Sequence, residues 1–296
     1  MNLASGNGGT SARNPIYIDR LERKYLIGIR EDEMAGLWRD LKGFLEPHGL
    51  APVQDITLVG SVYFDNKDYD LLRCILLIRR CHILVRLRAY ESYGQSPEPI
   101  SEYWIEVKNR NRDHRRKRRF RIKRATLRPF LDGDDVMERV LDDNREEADA
   151  RAIGNLYAET RETFFTWGLK PCLLVTYKRV AFQNGGERLS VDWDIQYYPV
   201  TEDVYSYDTW KYPVEPPAGK AKQIILEFKY PHGTLPEWIE GLQRRYPIWE
   251  SNYVKPVEGM GFLFEGPLSS HEEAGSFLRM IRAYTEDWKL ALEKHE

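Results

Sequence analysis

Charged and apolar residues alternate along several short segments of the chain, as they do in β-strands that have one polar face. Residues i and i+2 of a strand point to the same side of a sheet, so each segment places two charges side by side. Four such steps occur: Glu22–Lys24, Arg86–Arg88, Glu106–Lys108 and Glu227–Lys229. A half-buried sheet would scatter its charges over the surface. Matched steps far apart in sequence favour an α+β fold in which a β-barrel encloses a charged lumen.

The same patterning predicts the other elements. Strands are predicted at residues 16–29, 58–64, 83–90, 103–109, 116–123, 172–182, 188–194 and 223–230. Helices are predicted at 32–45, 146–167 and 236–246 and in the C-terminal segment, where Ser270 and Glu273 have the spacing of a capping box. We expect these helices to pack outside the barrel.

Composition narrows the class of protein. The chain has 296 residues, of which 30% are charged, and its formal net charge is −2, so a polybasic nucleic-acid binder is not expected. The three cysteines lack C-x-x-C spacing, which predicts reduced thiols and a cytoplasmic protein. The sequence has no run of about 18 apolar residues, so no transmembrane helix is predicted. We expect residues 1–14 to be disordered, 15–265 to form one domain and 266–296 to add a helix packed on or next to the barrel.

A dense basic run at residues 110–124 is the strongest rival signal. Read alone, it suggests a nucleic-acid or localisation patch. Phe120 and Ile122 alternate with Arg119, Arg121 and Lys123, however, which favours a strand with one apolar and one charged face. Nucleic acid is therefore not the expected partner.

The charged strands carry motifs that resemble the VTC domain, the polyphosphate-polymerase domain of the triphosphate tunnel metalloenzyme (CYTH-like) superfamily. In order along residues 20–262 they are Glu22–Tyr25, Ser61–Asp65, Val85–Tyr90, Glu106–Lys108, Lys117–Arg119, Tyr177–Phe182, Arg188–Asp192, Leu226–Lys229 and Ser251–Tyr253. The resemblance implies an antiparallel β-barrel whose tunnel binds the triphosphate of a nucleotide and a growing phosphate chain.

Residue roles follow from these motifs. Arg86 and Arg88 share a strand face and can grip phosphate oxygens through two nitrogens each. The predicted catalytic residues are Lys24, Arg86, Arg88, Lys108 and Arg179, and the predicted substrate-binding residues are Lys117, Arg119, Tyr177, Arg188, Lys229 and Ser251. The resemblance implies that Glu227 binds Mn²⁺ or Mg²⁺. Glu22 and Glu106 either assist that metal or pair with neighbouring cations.

One position departs from the resembled family, which usually has Ser-Lys-Tyr where this chain has Ser251-Asn252-Tyr253. If the segment is a strand, Lys255 lies three residues on and faces the other side unless the backbone bends.

The expected activity is a metal-dependent transfer of the γ-phosphate of ATP to inorganic polyphosphate, with orthophosphate or pyrophosphate as further partners. An inorganic triphosphatase or polyphosphate hydrolase on the same fold, and a non-catalytic polyphosphate or inositol-phosphate binding module, stay open as alternatives. A membrane partner subunit also stays open.

Overall fold

The computed structural model describes residues 21–29, 33–53, 55–79, 81–94, 98–111, 114–146, 149–200, 202–206, 208–210, 213, 216–231 and 235–293. The predicted disordered segment 1–14 and the start of the first predicted strand lie outside these residues.

Within the described residues, eleven strands form one antiparallel sheet. They are β1 (Leu21–Ile27), β2 (Ala51–Pro52), β3 (Thr57–Asp65), β4 (Cys81–Ser92), β5 (Glu102–Asn111), β6 (His114–Lys123), β7 (Lys170–Gln183), β8 (Arg188–Tyr198), β9 (Gly219–Lys220), β10 (Ile224–Tyr230) and β11 (Ile248–Glu250). The strand order is β11-β1-β10-β8-β7-β3-β4-β5-β6, with β2 beside β7 and β9 beside β8.

The prediction of a closed barrel is wrong. Ladder hydrogen bonds of the described strands run from β11 to β6 and do not join these two outermost strands, so the sheet is open. The sheet nevertheless bends. Its curvature brings Glu22 of β1 close enough to Lys108 of β5, on the far side of the sheet, for the two charges to interact. We call the face that carries Lys108, Arg86 and Arg88 the inner face.

Eight helices connect or cover the described strands. They are α1 (Met34–Leu45), α2 (Asp70–Ile78), α3 (Arg124–Asp132), α4 (Met137–Asp143), α5 (Ala150–Thr166), α6 (Glu237–Arg245), α7 (Lys255–Glu265) and α8 (Ala274–Glu293). On the outer face, α3, α4 and α5 bury an apolar cluster with β3–β6, which includes Val85, Ile105 and Phe120. α1 and α6 bury a second cluster against β1, β8 and β10.

A third apolar cluster lies on the inner face, at one end of the sheet. There Leu173, Val175 and Ile225 pack against Val257 and Met260 of α7, and α2 and α8 complete the cluster. α7 approaches the sheet so closely that a side chain at Gly259 would meet the Tyr197 ring at 2.6 Å. The prediction that the helices lie outside the sheet therefore fails for α7, which covers this end of the inner face. We call it the α7 end.

Several elements differ from those predicted. The predicted strand segments and the helices 32–45, 146–167 and 236–246 correspond to observed elements with shifted ends, whereas α2, α7 and β11 were not predicted as such. The capping-box prediction is wrong, because α8 begins at Ala274 rather than after Ser270. The carboxylate of Glu273 accepts a hydrogen bond from Arg73 of α2 at 2.8 Å, so it holds α2 against α8.

Candidate functional site

The inner face carries a belt of charged side chains beside the apolar α7 end. Antiparallel register produces it, because residues paired across strands point the same way. Tyr63 of β3, Arg86 of β4, Glu106 of β5 and Arg119 of β6 are successive partners. We call the following side chains the charged belt: Glu22, Lys24, Arg86, Arg88, Glu106, Lys108, Lys117, Arg119, Arg179, Arg188, Asp192, Glu227, Lys229 and Lys255.

Glu106 lies at one centre of the belt and is fully buried. Its Oε2 atom accepts a hydrogen bond from Arg86 Nε at 2.7 Å, and its Oε1 atom is 2.6 Å from Lys117 Nζ. Arg88 and Arg119 each place a guanidinium nitrogen 3.9 Å from the carboxylate. Burial acts to raise the pKa of Glu106, but Arg86 and Lys117 hold it well below its usual range. The carboxylate is therefore ionised and pairs with cations, which is one of the two roles considered for it.

Arg88 is fixed by two hydroxyl groups on neighbouring strands. Its Nε atom donates to Ser61 Oγ at 3.1 Å, and its Nη2 atom donates to the Tyr177 hydroxyl at 3.0 Å. Arg86 is likewise held by the Tyr63 hydroxyl at 3.2 Å. Both guanidiniums are buried and oriented by neutral as well as charged partners. Such fixed orientation is what a phosphate clamp requires.

A second acidic centre lies at Asp192 of β8. Arg179 binds its carboxylate through two nitrogens, with distances of 2.6 and 2.7 Å. Lys255, the first residue of α7, reaches the same carboxylate at 2.8 Å and lies 4.5 Å from the centre of the Tyr177 ring. Burial acts to raise the pKa of Asp192, but Arg179 and Lys255 lower it.

The third centre pairs β1 with β10. Lys229 Nζ is 2.7 Å from Glu227 Oε1 and 3.8 Å from Glu22 Oε2. The charge of Glu227 is the largest influence raising the pKa of Glu22, yet Lys229 and Lys24 lower that pKa overall. Two carboxylates that repel each other are therefore held together by surrounding cations.

This third centre is the one that fits a divalent cation. Mg²⁺ is usually held by one or two carboxylates, with water and substrate phosphate as the other ligands, and Mn²⁺ also suits carboxylate and water oxygens. Glu22 and Glu227 supply such a pair, and a cation would relieve their repulsion. Among the described residues no three His, Cys, Asp or Glu side chains form a metal-holding group, so the belt offers a carboxylate pair rather than an all-protein cage.

Lys108 connects the two sides of the bent sheet. Burial and the Arg86 guanidinium lower its pKa well below the usual range, while Glu22 and Glu227 act in the opposite direction. An ammonium that is hard to keep charged gains from a bound polyanion, because the added negative charge favours its protonated form.

The remaining predicted residues lie at the borders of the belt. Arg188 donates to Gln183 Oε1 at 3.4 Å, and Lys24 donates to the Tyr253 carbonyl oxygen at 3.2 Å. Ser251 follows β11, its backbone N–H donates to the Lys24 carbonyl oxygen, and its buried Oγ atom has no hydrogen-bond partner among the described residues. That hydroxyl is a spare donor at the border of the belt.

Residues 251–255 do not continue as a strand, so the backbone bends as Lys255 requires to reach the charged belt. β11 ends at Glu250, Asn252 is exposed, and Lys255 begins α7. Asp192 and Lys255 therefore join the belt, although neither was among the predicted site residues. The signal for Lys255 was Pro256, which favours the first turn of a helix.

Comparison with known proteins gives this geometry a family. The VTC domain family matches residues 19–264. The vacuolar transporter chaperone complex subunit 4 of Schizosaccharomyces pombe is 27% identical over 146 residues, which cover 45% of this chain and 20% of that subunit. The match thus spans only a fifth of the curated relative.

Solved structures are more distant. A Bacillus halodurans protein described as a candidate adenylate cyclase has a TM-score of 0.39 at 12% identity, covering 76% of this chain and 86% of its own. A Hippeastrum protein described as a candidate adenylyl cyclase with a dominant triphosphatase activity has a TM-score of 0.38 at 14% identity, covering 81% and 94%. The family match extends over most of the residues that build the sheet and its charged belt, and the chain belongs to the VTC domain family.

Proposed function

We propose that the chain is a metal-dependent phosphotransferase that moves the γ-phosphate of ATP to a growing inorganic polyphosphate chain. The observation that carries this proposal is the charged belt, in which fixed cations outnumber carboxylates on one concave face. A water-accessible face with such a surplus is suited to a substrate that carries several negative charges along its length.

In this mechanism the belt aligns two anions. Arg86 and Arg88 bind the triphosphate and stabilise the charge on the equatorial oxygens of the transferred group. Lys108 and Lys117, on the two strands that follow β4 and next to Arg86, hold the acceptor in line with the terminal phosphate, and Arg179 and Lys255 add charge on the other side of Arg88. Glu22 and Glu227 would hold Mn²⁺ or Mg²⁺, which supplies positive charge to phosphate oxygens when bound. A terminal phosphate acceptor is already anionic at neutral pH, so the reaction needs alignment more than a strong base.

A second candidate, hydrolysis of triphosphates, is favoured by a different observation. Apolar side chains of α7 cover the inner face at the α7 end, so the described residues offer no charged path for a long polyanion in that direction. Water as acceptor would need no such path.

One experiment separates these functions. The purified chain is incubated with ATP, Mn²⁺ and pyrophosphate as a first acceptor, and the phosphate species are resolved by length. We expect ADP together with chains longer than three phosphates. ADP and orthophosphate alone would favour the triphosphatase, and the absence of ADP would contradict both.

Two variants connect the activity to the belt. Arg88→Lys keeps the charge but loses the planar fork, and we expect the rate to fall by about 10²–10³-fold. Arg116→Lys, at an exposed position of β6, is the matched control and should keep the parent rate. Glu227→Gln should lose the response to Mn²⁺ while it keeps some affinity for triphosphate.

A further inference from the structure

Tyr90 is an exposed aromatic side chain beside the arginines of the charged belt. It lies on β4 two residues after Arg88 and pairs with Val59 of β3, so it shares the inner face with the arginines. Ala89 is buried on the other face, whereas 41% of the surface of Tyr90 is exposed. The ring is therefore accessible to a ligand on the inner face.

The position of Tyr90 relative to the arginines suits a group attached to a triphosphate. Two residues along a strand span about 7 Å, so Tyr90 lies one step beyond Arg88 and two steps beyond Arg86, in the direction away from the α7 end. A triphosphate gripped by the two guanidiniums, with its terminal phosphate near Arg86, would direct its attached nucleoside towards Tyr90.

Neighbouring aromatic rings are less available. Trp104, directly opposite Arg88 on β5, has the guanidinium of Arg119 over its ring at 4.1 Å. Tyr93 has Lys178 Nζ over its ring at 4.4 Å. The guanidinium of Arg88 is farther from the Tyr90 ring, at 5.9 Å from the ring centre, and it forms a hydrogen bond with the Tyr90 hydroxyl. Tyr90 is thus held in place from its edge while its ring stays accessible.

We propose that Tyr90 is a specificity-determining residue whose ring stacks on the base of a nucleoside triphosphate, so that the site prefers nucleotides to inorganic triphosphate. This inference rests on the proposed function, because it assumes that the belt binds a triphosphate. Stacking of a base on an aromatic side chain tolerates any base, since every base has a π-face. The specificity concerns the presence of a base rather than its identity.

The hydroxyl of Tyr90 offers a competing role. Burial acts to raise the pKa of Tyr90, but Arg88 and Lys117 lower it to about 8, which makes the hydroxyl a good hydrogen-bond donor to a phosphate oxygen. A role of the hydroxyl would favour every phosphate ligand equally, with or without a base.

The test compares ATP with inorganic tripolyphosphate. Binding of each to the whole chain is measured by calorimetry with EDTA present, so that the measurement does not depend on metal or turnover. We expect Tyr90→Ala and Tyr90→Leu to weaken ATP binding about tenfold and to leave tripolyphosphate binding within twofold. Tyr90→Phe should bind both ligands like the parent. Tyr93→Ala is the matched control and should change neither, and thermal unfolding checks that each variant is folded.

The outcomes distinguish this inference from the proposed function. Equal weakening for both ligands in Tyr90→Phe would assign the hydroxyl to phosphate and overturn the stacking role. Unchanged ATP binding in Tyr90→Ala, or a parent that binds tripolyphosphate at least as tightly as ATP, would also overturn it while the phosphate site stands. A parent that binds neither ligand would overturn the proposed function itself.

Discussion

Glu106 is the residue on which the packing of the belt cations depends. Its buried carboxylate touches Arg86 and Lys117 and lies within 4 Å of Arg88 and Arg119. Like charges gathered this closely repel one another unless an anion lies between them. The buried carboxylate compensates the charge of the guanidiniums when no substrate is bound to the belt. The guanidinium nitrogens that it does not contact can then bind phosphate.

We expect Glu106→Gln to destabilise the fold by about 3–5 kcal/mol at pH 7, because removing one partner leaves buried cations uncompensated. The pKa of Glu106 lies below the usual value of 4.5, so its contribution is fully present above pH 4.5 and is lost as the pH falls through the folded-state pKa. Urea unfolding at a series of pH values should show the difference between parent and variant shrinking below pH 4.5.

The control for this variant is Glu250→Gln. Glu250 forms an exposed ion pair with Arg23 on the surface, and such pairs contribute about 0–1 kcal/mol. An equal loss in both variants, or a Glu106→Gln difference that persists undiminished in acid, would contradict this role of Glu106.

Lys117 provides a separate signal of phosphate binding. Burial, together with Arg86 and Arg88 and despite Glu106, lowers the pKa of Lys117 to about 8. A bound polyanion raises that pKa again, so binding near pH 8 should take up protons. Tyr90, whose pKa is also about 8, and Lys108 contribute in the same direction.

We expect Lys117→Met to take up less than the parent at pH 8, by up to about half a proton for each tripolyphosphate bound. Calorimetry in two buffers of different ionisation enthalpy measures the uptake, and the ligand's own protons cancel between parent and variant. Lys67→Met, in the exposed turn after β3, should match the parent. Equal uptake in Lys117→Met and the parent would place the polyanion away from Lys117.

At the scale of elements, the eight long strands were predictable, whereas the short strands β2, β9 and β11 and the helix at the α7 end were not. Alternation marked the long strands because the two faces of this sheet differ in polarity, as Arg86 and Arg88 alternate with buried Val85 and Leu87. No helix was predicted at residues 255–265, although Pro256 is followed by Val257, Met260 and Leu263 at helical spacing.

The pairings within the belt could not be predicted either. Sequence spacing shows that Arg86 and Glu106 each face the polar side of a strand, but not that they are direct partners, because register depends on distant hydrogen bonds. Barrel closure depends on the same kind of long-range contact. The face on which each charged side chain lies was thus predictable, and its partner on the neighbouring strand was not.

The position of α7 changes the expected effect of having asparagine rather than lysine at position 252. Because Lys255 begins the helix and already binds Asp192 in the belt, a cation is present near the position where the family's lysine is absent. We expect Lys255→Met to weaken tripolyphosphate binding about tenfold, the order expected for a charge-assisted hydrogen bond. Asn252→Lys, at an exposed position, should leave affinity and product length unchanged. Longer products from Asn252→Lys would show that the exposed position does reach the polymer.

At the scale of the whole molecule, charge is distributed rather than concentrated in a basic surface. Six described cations of the dense run at 110–124 have polar partners on several elements. Arg118 pairs with Glu159 of α5, Lys123 with Asp143 at 2.8 Å, and Arg124 with Asp208 at 2.8 Å. Arg121 donates to the Asp143 carbonyl oxygen, and Lys117 and Arg119 face Glu106. In the described part of the chain, no helix is long and apolar enough to cross a membrane.

This distribution predicts which polyanions bind. A duplex needs cations spread over an exposed surface, and its affinity depends on how many phosphates it can neutralise at once. Here the net charge is −2, and the charged belt gathers ten cations with four carboxylates on the inner face. We therefore expect a fluorescent polyphosphate chain to be displaced by tripolyphosphate, and not by a 20-base-pair DNA duplex at ten times its concentration, in about 0.15 M salt. Anisotropy measures both competitions, and Arg116→Ala, which removes an exposed cation of the run, should change neither. Displacement by the duplex in this competition would mean that the basic run binds polyanions as an exposed surface, and that the charged belt does not select the ligand.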